Sequence, residues 1–531
     1  MSGPSYFAQL PKYGLGIGIN PSDFHVRYLE HGADAPDFFE VTAPSSRHRG
    51  PASYAELRRR GRAAPDGFER RTIHDLVGTA RVLVHSTNVN PAYADPPSTS
   101  ELDELKQLLE LSGAPWVTED LGVWLMSERH VYPHFMPLPL TAESLTVCID
   151  NVMRIQGILE RPFNAEFPPM TYVVGDMNAF EFFSRLCEAT GCGMCVDVGH
   201  VLSYQLARGC SPTADFHKLP WEHVTEIHFA GGAIDLTGEG FFYQDDHGDR
   251  EVVSVCFDLI DQVVESAPNL KAMALELFGA RQPAAALRRL RFTRERKTVA
   301  AWLAGSEPAG EVLSVEHSRR HVKALSVAMY DLLHSDEPLS GQRLTEHGPE
   351  FLDAFATAER RRWDYDRRSR LMILGGSVTS YFPVSTGWLL RESGLSQEAL
   401  FGLLIPSLDT GRPLDPDSVG DALHTVLAGL PRERLLHELL RCEIWMNRCP
   451  EDGPADREAT FSMDLERAAR GLDDPDAVLA SFEQDVRLVG LGDGRFARRG
   501  TAPERPASPA PGTLPDPELP VCGTARCCSG D

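Results

Sequence analysis

Between residues 14 and 280, short apolar runs rich in β-prone residues recur, and most are separated by longer segments whose apolar positions follow helical spacing. The runs lie at 14–19 (GLGIGI), 37–43 (DFFEVTA), 81–87 (RVLVHST), 116–122 (WVTEDLG), 162–167 (PFNAEF), 193–199 (GMCVDVG), 225–231 (TEIHFAG) and 272–278 (AMALELF). Near-continuous apolar strands alternating with helices are what a parallel sheet covered on both faces requires, and eight strands close a barrel. The helices carry start signals of their own. Segment 100–113 opens on a serine followed by acids and a leucine stripe, and 141–160 opens with Thr141 as cap and Glu143 in the first turn. Two more helices fit 178–190, capped by Asn178, and 252–267. The pattern predicts an α/β fold, a (β/α)8 TIM barrel over residues 1–285.

The remainder reads differently. The basic run 281–298 (RQPAAALRRLRFTRERKT) fits a solvated helix or connector, and 299–345 and 385–480 are mainly helical in pattern. Trp363 to Leu404 and the stretch 487–500 (RLVGLGDGRFARRG) allow a short strand or hairpin, with Asp493-Gly494 as the turn. Residues 286–500 therefore form a mainly helical second domain. From Thr501 the chain is proline-rich (TAPERPASPAPGTLPDPELP), so 501–531 reads as a disordered linker and tail. That tail carries Cys522, Cys527 and Cys528.

Charge narrows the partners. With 52 Lys plus Arg against 76 Asp plus Glu, a net charge of −24 disfavours nucleic acid and anionic membranes. The N-terminal residues lack a secretory signal pattern, and no long apolar stretch follows, so a cytoplasmic location is expected. The eleven cysteines form no regular framework, and Cys192 and Cys195, although spaced C-x-x-C, read as packing because Cys195 falls in an apolar strand.

In a (β/α)8 barrel the chemistry sits where the strands end. There the sequence places His85, Glu119 and Asp120, Glu166, Asp197 with His200, His228 and Glu276, and the loop after the seventh strand adds Asp245 and His247. Taken singly, a strand-end histidine is a hydrogen-bonded structural residue and a carboxylate a helix cap. Taken together on consecutive strands, they imply a common ligand, since buried charges are costly unless paired or bound to a cation. The set exceeds what one catalytic zinc uses, so two or three metals fit, and His with carboxylate suits Fe, Mn or Zn. Glu40, near the end of the second strand, is a candidate for supporting a ligand or the substrate. The G-x-G-x-G of Gly14, Gly16 and Gly18 lies inside a strand without a following helix start, so it reads as close barrel packing rather than a dinucleotide loop.

These segments resemble a family, the multinuclear non-haem iron-dependent oxidative enzymes that modify ribosomally made peptides, typified by the methanobactin and thiaglutamate biosynthetic oxidases. The resemblance spans about residues 14–280 and rests on VHSTNVN around His85, WVTEDLG around Glu119, HFMPLPLTAESL at 134–145, NAEFPP around Glu166, VDVGH at 196–200, EIHFAGG around His228, DDH at 245–247 and ALELF around Glu276. It implies that His85, Glu119, Glu166, Asp197, His200, His228, Asp245, His247 and Glu276 are metal ligands. Asp120 stands where the family often has His, Phe167 where Asn commonly follows the glutamate, and Gly199 with His200 where many members have an Asn pair. The first departure leaves open whether Glu119 or Asp120 is the ligand. The implied cofactors are two or three irons in mixed Fe(II)/Fe(III) state with O2 as co-substrate. The implied reaction is oxidation of a precursor peptide, usually at cysteine. Family oxidases commonly work with a separate peptide-recognition protein, a part that residues 286–500 could supply. Cys522, Cys527 and Cys528 are then candidate substrate thiols on a tether.

Two other classes also gather such residues: a metal-dependent hydrolase or sugar isomerase on a similar barrel, and a non-catalytic metal-binding protein. Bound-metal identity and O2 consumption separate them.

Overall fold

The computed structural model describes residues 3–19, 36–43, 80–276, 313–334 and 351–447 with short interruptions, a few isolated positions, and three strands between 458 and 498. Eight parallel strands form a closed barrel: β1 (Gly14–Ile19), β2 (Phe38–Thr42), β3 (Arg81–His85), β4 (Val117–Asp120), β5 (Phe163–Glu166), β6 (Gly193–Asp197), β7 (Val224–Phe229) and β8 (Ala272–Leu275), with β8 pairing back onto β1. Every expected strand is present, several of them shorter than its apolar run. The register sets Gly18 beside Glu40, Asp120 beside Glu166, and Asp197 beside His228.

Helices α1 (Thr99–Ser112), α2 (Ala142–Leu159), α3 (Ala179–Thr190), α4 (Val198–Ala207) and α5 (Ser254–Ser266) follow β3 to β7. Thr141 caps α2 by accepting from the Ser144 amide, and Asn178 caps α3 by accepting from Phe180 and Glu181. The serine cap expected for α1 is not made: the helix starts one residue earlier, at Thr99, and the Ser100 hydroxyl pairs with that of Ser98, 2.9 Å away. Gly16 and Gly18 serve packing, as expected. A Cβ at Gly16 would lie 2.4 Å from the Phe38 ring, and one at Gly18 would lie 3.2 Å from the Glu276 side chain. Phe38, Leu83, Trp116 and Ala272 close the N-terminal end of the barrel with Phe7, Leu10 and Tyr13. Cys192 and Cys195 diverge: the Cys192 thiol meets Cys187 at 3.7 Å, while Cys195 joins Glu166 and His228 inside the barrel.

The segment after β7 is an antiparallel hairpin, Gly231–Thr237 with Gly240–Asp246, rather than an open loop. The second half contains α6 (Val315–Leu333), α7 (Arg360–Tyr381), α8 (Pro383–Ser393), α9 (Gln397–Leu404), α10 (Pro416–Leu427) and α11 (Glu433–Asn447). The strand allowed between Trp363 and Leu404 is absent. Buried positions Trp363, Asp366, Arg370, Leu374 and Val378 recur at helical spacing, which overrides the local β preference of Val378 to Phe382. Glu458–Phe461 is a strand within a stretch expected to be mainly helical; it pairs with Val486–Gly490, which in turn pairs with Phe496–Arg498. The expected connector at 281–298, the Asp493-Gly494 turn and the cysteine-bearing tail lie outside the described residues.

The second half has two cores. Residues of α7 to α11, including Leu374, Trp388, Phe401, Leu423 and Leu440, pack among themselves. Val322, Leu325 and Met329 of α6, with Phe355 and Trp363, instead share a core with Tyr93, Val123, Met126, Val147 and Tyr172 of the barrel half. Arg319 fastens this contact, donating to Asn151 Oδ1 at 2.7 Å and pairing with Asp150.

Candidate metal centre

Alternation along the strands decides which side chains enter the barrel. Trp116, just before β4, and Thr118 on it both donate to Glu226 of β7 across the interior, so Asp120, two residues on, also points inward and Glu119 does not. Glu119 is spent elsewhere: its carboxylate accepts the amides of Val89 at 3.0 Å and Asn90 at 2.7 Å. Asp120 faces His85 at 3.9 Å and His200 at 3.6 Å. The same parity brings in Glu40, His85, Asn164 with Glu166, Cys195 with Asp197, Glu226 with His228, and Glu276.

These side chains converge. His85 Nε2 lies 2.8 Å from Glu166 Oε2, and His228 Nδ1 lies 3.0 Å from Glu166 Oε1 and 3.6 Å from Glu276 Oε1. His247 Nε2 lies 2.8 Å from Asp245 Oδ2, which His200 Nε2 approaches to 3.4 Å. His200 Nδ1 sits 2.8 Å from the Phe167 carbonyl, which can only accept, so Nδ1 carries a hydrogen and a neutral ring offers Nε2 as the free nitrogen. Asp197 Oδ1 accepts the His200 amide and caps α4, leaving Oδ2 buried without a partner. Within 4.8 Å of one another stand the ligand atoms of His85, Asp120 and Glu166; of His85, His228 and Glu276; and of His200, Asp245 and His247. Of the strand-end and loop candidates among the described residues, only Glu119 is turned away.

Charge is the reason to place a cation here. Seven carboxylates (Glu40, Asp120, Glu166, Asp197, Glu226, Asp245 and Glu276) meet four imidazoles, so with the carboxylates ionised the cluster stays negative even with every ring protonated. Burial pushes Glu40 up to about 7 and Asp197 up to about 6, and burial with the charge of Glu166 holds Asp120 well above the carboxylate range. Burial opposes a charged ring at His85, yet Glu166 raises it to about 10, and Asp245 raises His247 to about 9. Protons are thus held where cations would neutralise the same charge. Asp120 Oδ1, Asp197 Oδ2 and Asp245 Oδ1 are buried without hydrogen-bond partners, and the nitrogen and oxygen donors suit a divalent transition metal.

A cavity of about 950 Å3 opens above the cluster, lined on the barrel side by His85, Asp120, Trp124, Phe135, Tyr243 and His247. Its other wall is α7, which contributes Tyr365, Arg368, Ser369, Met372 and Ile373. Arg370, 2% exposed, fixes that wall by donating to the carbonyls of His134 at 2.7 Å and Phe135 at 2.8 Å while paired with Asp366, which accepts from Thr171. Tyr365 stacks on Phe242 of the hairpin, with centroids 4.0 Å apart. Sequence reasoning missed Glu226, Cys195 and the α7 residues. Parity with His228 and Asp197 was an available signal for the first two; nothing local marks α7.

The family model of RiPP precursor modification enzymes MbnB/TglH/ChrH matches residues 14–289. The chain belongs to this family. The match covers the barrel and every cluster residue, and no part of α6 to α11. A UPF0276 protein of Vibrio parahaemolyticus is 26% identical over 232 residues, 43% of this chain and 77% of that protein. One from Caulobacter vibrioides is 29% identical over 169 residues, 32% of this chain and 60% of its own length. Among solved structures, a xylose isomerase domain protein from Planctomyces limnophilus has a TM-score of 0.33 at 13% identity, covering 54% of this chain and 96% of its own. Endonuclease IV from Thermus thermophilus has 0.32 at 16%, covering 54% and 98%. At those scores the likeness carries no weight, and the family member's barrel rests on its own strand order. Among the described residues no helix is long and apolar enough to cross a membrane.

Proposed function

We propose that this RiPP precursor modification enzyme oxidises a ribosomally synthesised peptide, at cysteine, using O2 and two or three irons in mixed Fe(II)/Fe(III) state. The observation that carries the reading is the surplus of buried carboxylate over imidazole at the floor of a cleft large enough for several side chains of a peptide. His85, Asp120, Glu166, Asp197, His200, His228, Asp245, His247 and Glu276 are the proposed ligands, with Asp120 taking the place on β4 first given to Glu119. Bound iron would supply the one-electron chemistry through which O2 oxidises the substrate.

The remaining work falls to the chain itself. Trp124, Phe135, Tyr243 and Tyr365 exclude water along the cleft and orient a peptide whose thiol reaches the floor. The α7 wall of the cleft supports the reading that residues 286–500 take part in peptide recognition, with a separate recognition protein as the alternative. The tail cysteines Cys522, Cys527 and Cys528 are candidate substrates in cis, and a separate precursor is the alternative. The test is metal analysis with O2 uptake on the full-length protein, followed by mass spectrometry of a coexpressed candidate precursor. Iron, O2 uptake and a mass change at a precursor cysteine are expected. Stoichiometric zinc with hydrolytic or isomerase activity would overturn the reading, as would metal uptake with no modification of any candidate peptide.

A further inference from the structure

Below the proposed metal ligands, the barrel holds a second polar layer. Glu226 is held from one side only: its Oε2 accepts from Trp116 Nε1 at 2.9 Å, from Asn164 Nδ2 at 3.2 Å and from the Thr118 hydroxyl. Its Oε1 is turned to His228 Nε2, 3.7 Å away. Glu40 reaches the same nitrogen from β2, with Oε2 2.8 Å from Nε2. On the neighbouring strand Gly18 stands beside it, and a Cβ there would come within 3.2 Å of the Glu276 side chain. Glu40 is 1% exposed and His228 is fully buried, so no bulk water competes for these atoms. Both oxygens of Glu40 and Oε1 of Glu226 have no hydrogen-bond partner, and the short contact to His228 is bent away from hydrogen-bond geometry.

His228 therefore stands between two layers with one ring nitrogen in each. A neutral imidazole carries one hydrogen, and its place decides which nitrogen has a lone pair to offer. With the hydrogen on Nδ1, the lone pair would point down at two carboxylates. With it on Nε2, the hydrogen meets Glu40 and the lone pair faces Glu166, Glu276 and His85. Without a metal, Nδ1 pairs with Glu166 Oε1 at 3.0 Å; a cation held by Glu166 would take the place of that hydrogen, and Glu40, which has no other donor, is the acceptor 2.8 Å from Nε2. We infer that Glu40, backed by Glu226, fixes His228 with its hydrogen on Nε2 and so directs Nδ1 to the metal, making the two glutamates positioning residues for the cluster. Outer carboxylates that orient a ligating histidine raise its basicity, and losing one typically costs 10–100-fold in metal affinity.

The inference rests on His228 being a ligand, so the experiment separates the two. Full-length protein selectively labelled with 15N-histidine is loaded with zinc, which is diamagnetic, and His228 is assigned by the signal lost in His228→Asn. The expected spectrum has Nε2 protonated and Nδ1 coordinated. Glu40→Leu should weaken zinc binding by about 10–100-fold and shift the His228 nitrogens, while Glu40→Gln, whose amide oxygen still accepts, should stay close to wild type. Circular dichroism checks the fold of each variant. If Glu40→Leu does not fold, the nitrogen assignment in wild type and Glu40→Gln decides. Coordination through Nε2, or a folded Glu40→Leu protein with unchanged affinity and shifts, overturns the inference while leaving the metal centre standing. Full zinc binding by His228→Asn removes the ligand assignment itself, and the inference with it.

Discussion

Glu119 and Asp120 are adjacent in sequence and opposite in role, which makes their paired replacement a sharp test of the site. Glu119→Gln keeps size but leaves one oxygen where two faced backbone amides. One of the amides of Val89 and Asn90 then meets an NH2 group, and a bond to a charged acceptor worth about 1.5–3 kcal/mol is lost. Metal content should be unchanged. Asp120→Asn removes a buried negative charge that burial and Glu166 already disfavour, so stability of the metal-free protein should hold or rise slightly. Bound metal should fall, because the amide offers a weaker donor beside His85 and His200. The assay is the urea midpoint of the metal-free proteins, with unchanged denaturant slope as the check on comparability, alongside metal per chain after loading. Loss of metal in Glu119→Gln without loss of stability would refute the parity argument, as would full metal in Asp120→Asn.

Arg370→Ala should cost about 3–5 kcal/mol in a denaturant titration, since it strands Asp366 and two carbonyls; a cost under about 1 kcal/mol would show that α7 is not anchored there. His247→Ala should lower bound metal and abolish peptide oxidation with little change in melting temperature, because its side chain is a third exposed; full loading and activity would remove it from the ligand set. Glu40 and Asp197 are raised by burial to about 7 and about 6, so they favour the metal-free fold below their ordinary values and withdraw that support as pH climbs through 6 to 7. His85, raised to about 10, acts in the same direction, and metal displaces these protons, so the stabilisation by bound metal should grow from pH 5 to 8; calorimetry showing it flat or falling would contradict this. Full-length protein made with iron and O2 should show a mass change within residues 521–531 that disappears in His247→Ala; an unmodified tail from active protein would leave a separate peptide as substrate.

The barrel was legible because its strands are apolar on both faces and its helices open on recognisable caps such as Thr141 and Asn178. Most of the cluster was legible because charged residues at apolar strand ends are conspicuous. What stayed hidden depended on facing direction or on distance. Glu119 and Asp120 are equivalent by position alone, and only the inward course of Trp116 and Thr118 separates them. Glu226 looks like an ordinary polar residue near a strand start until Trp116 and Asn164 are seen to hold it. Arg370 meets the loop at His134 from 236 positions away, a pairing that no local pattern encodes. The helix α7 was ambiguous because Val378 to Phe382 favour a strand locally, whereas burial at every third or fourth position is visible only once the packing partner is known.

The shared core between α6, Trp363 and the barrel has a consequence during synthesis. The last barrel strand ends at Leu275, but α6 begins at Val315 and α7 ends at Tyr381. Until those helices emerge, Tyr93, Val123, Met126 and Tyr172 lack the apolar partners that α6 and Trp363 give them among the described residues. At translation rates of about 5–20 residues per second, a barrel able to form on the ribosome waits roughly 5–20 seconds for its cover. That interval is long compared with hydrophobic collapse or aggregation encounters, so the nascent barrel presents a sticky surface that a holdase can recognise. A chain released by premature termination near residue 290 would keep that surface permanently, and its fate would be aggregation or degradation rather than function as a free-standing barrel.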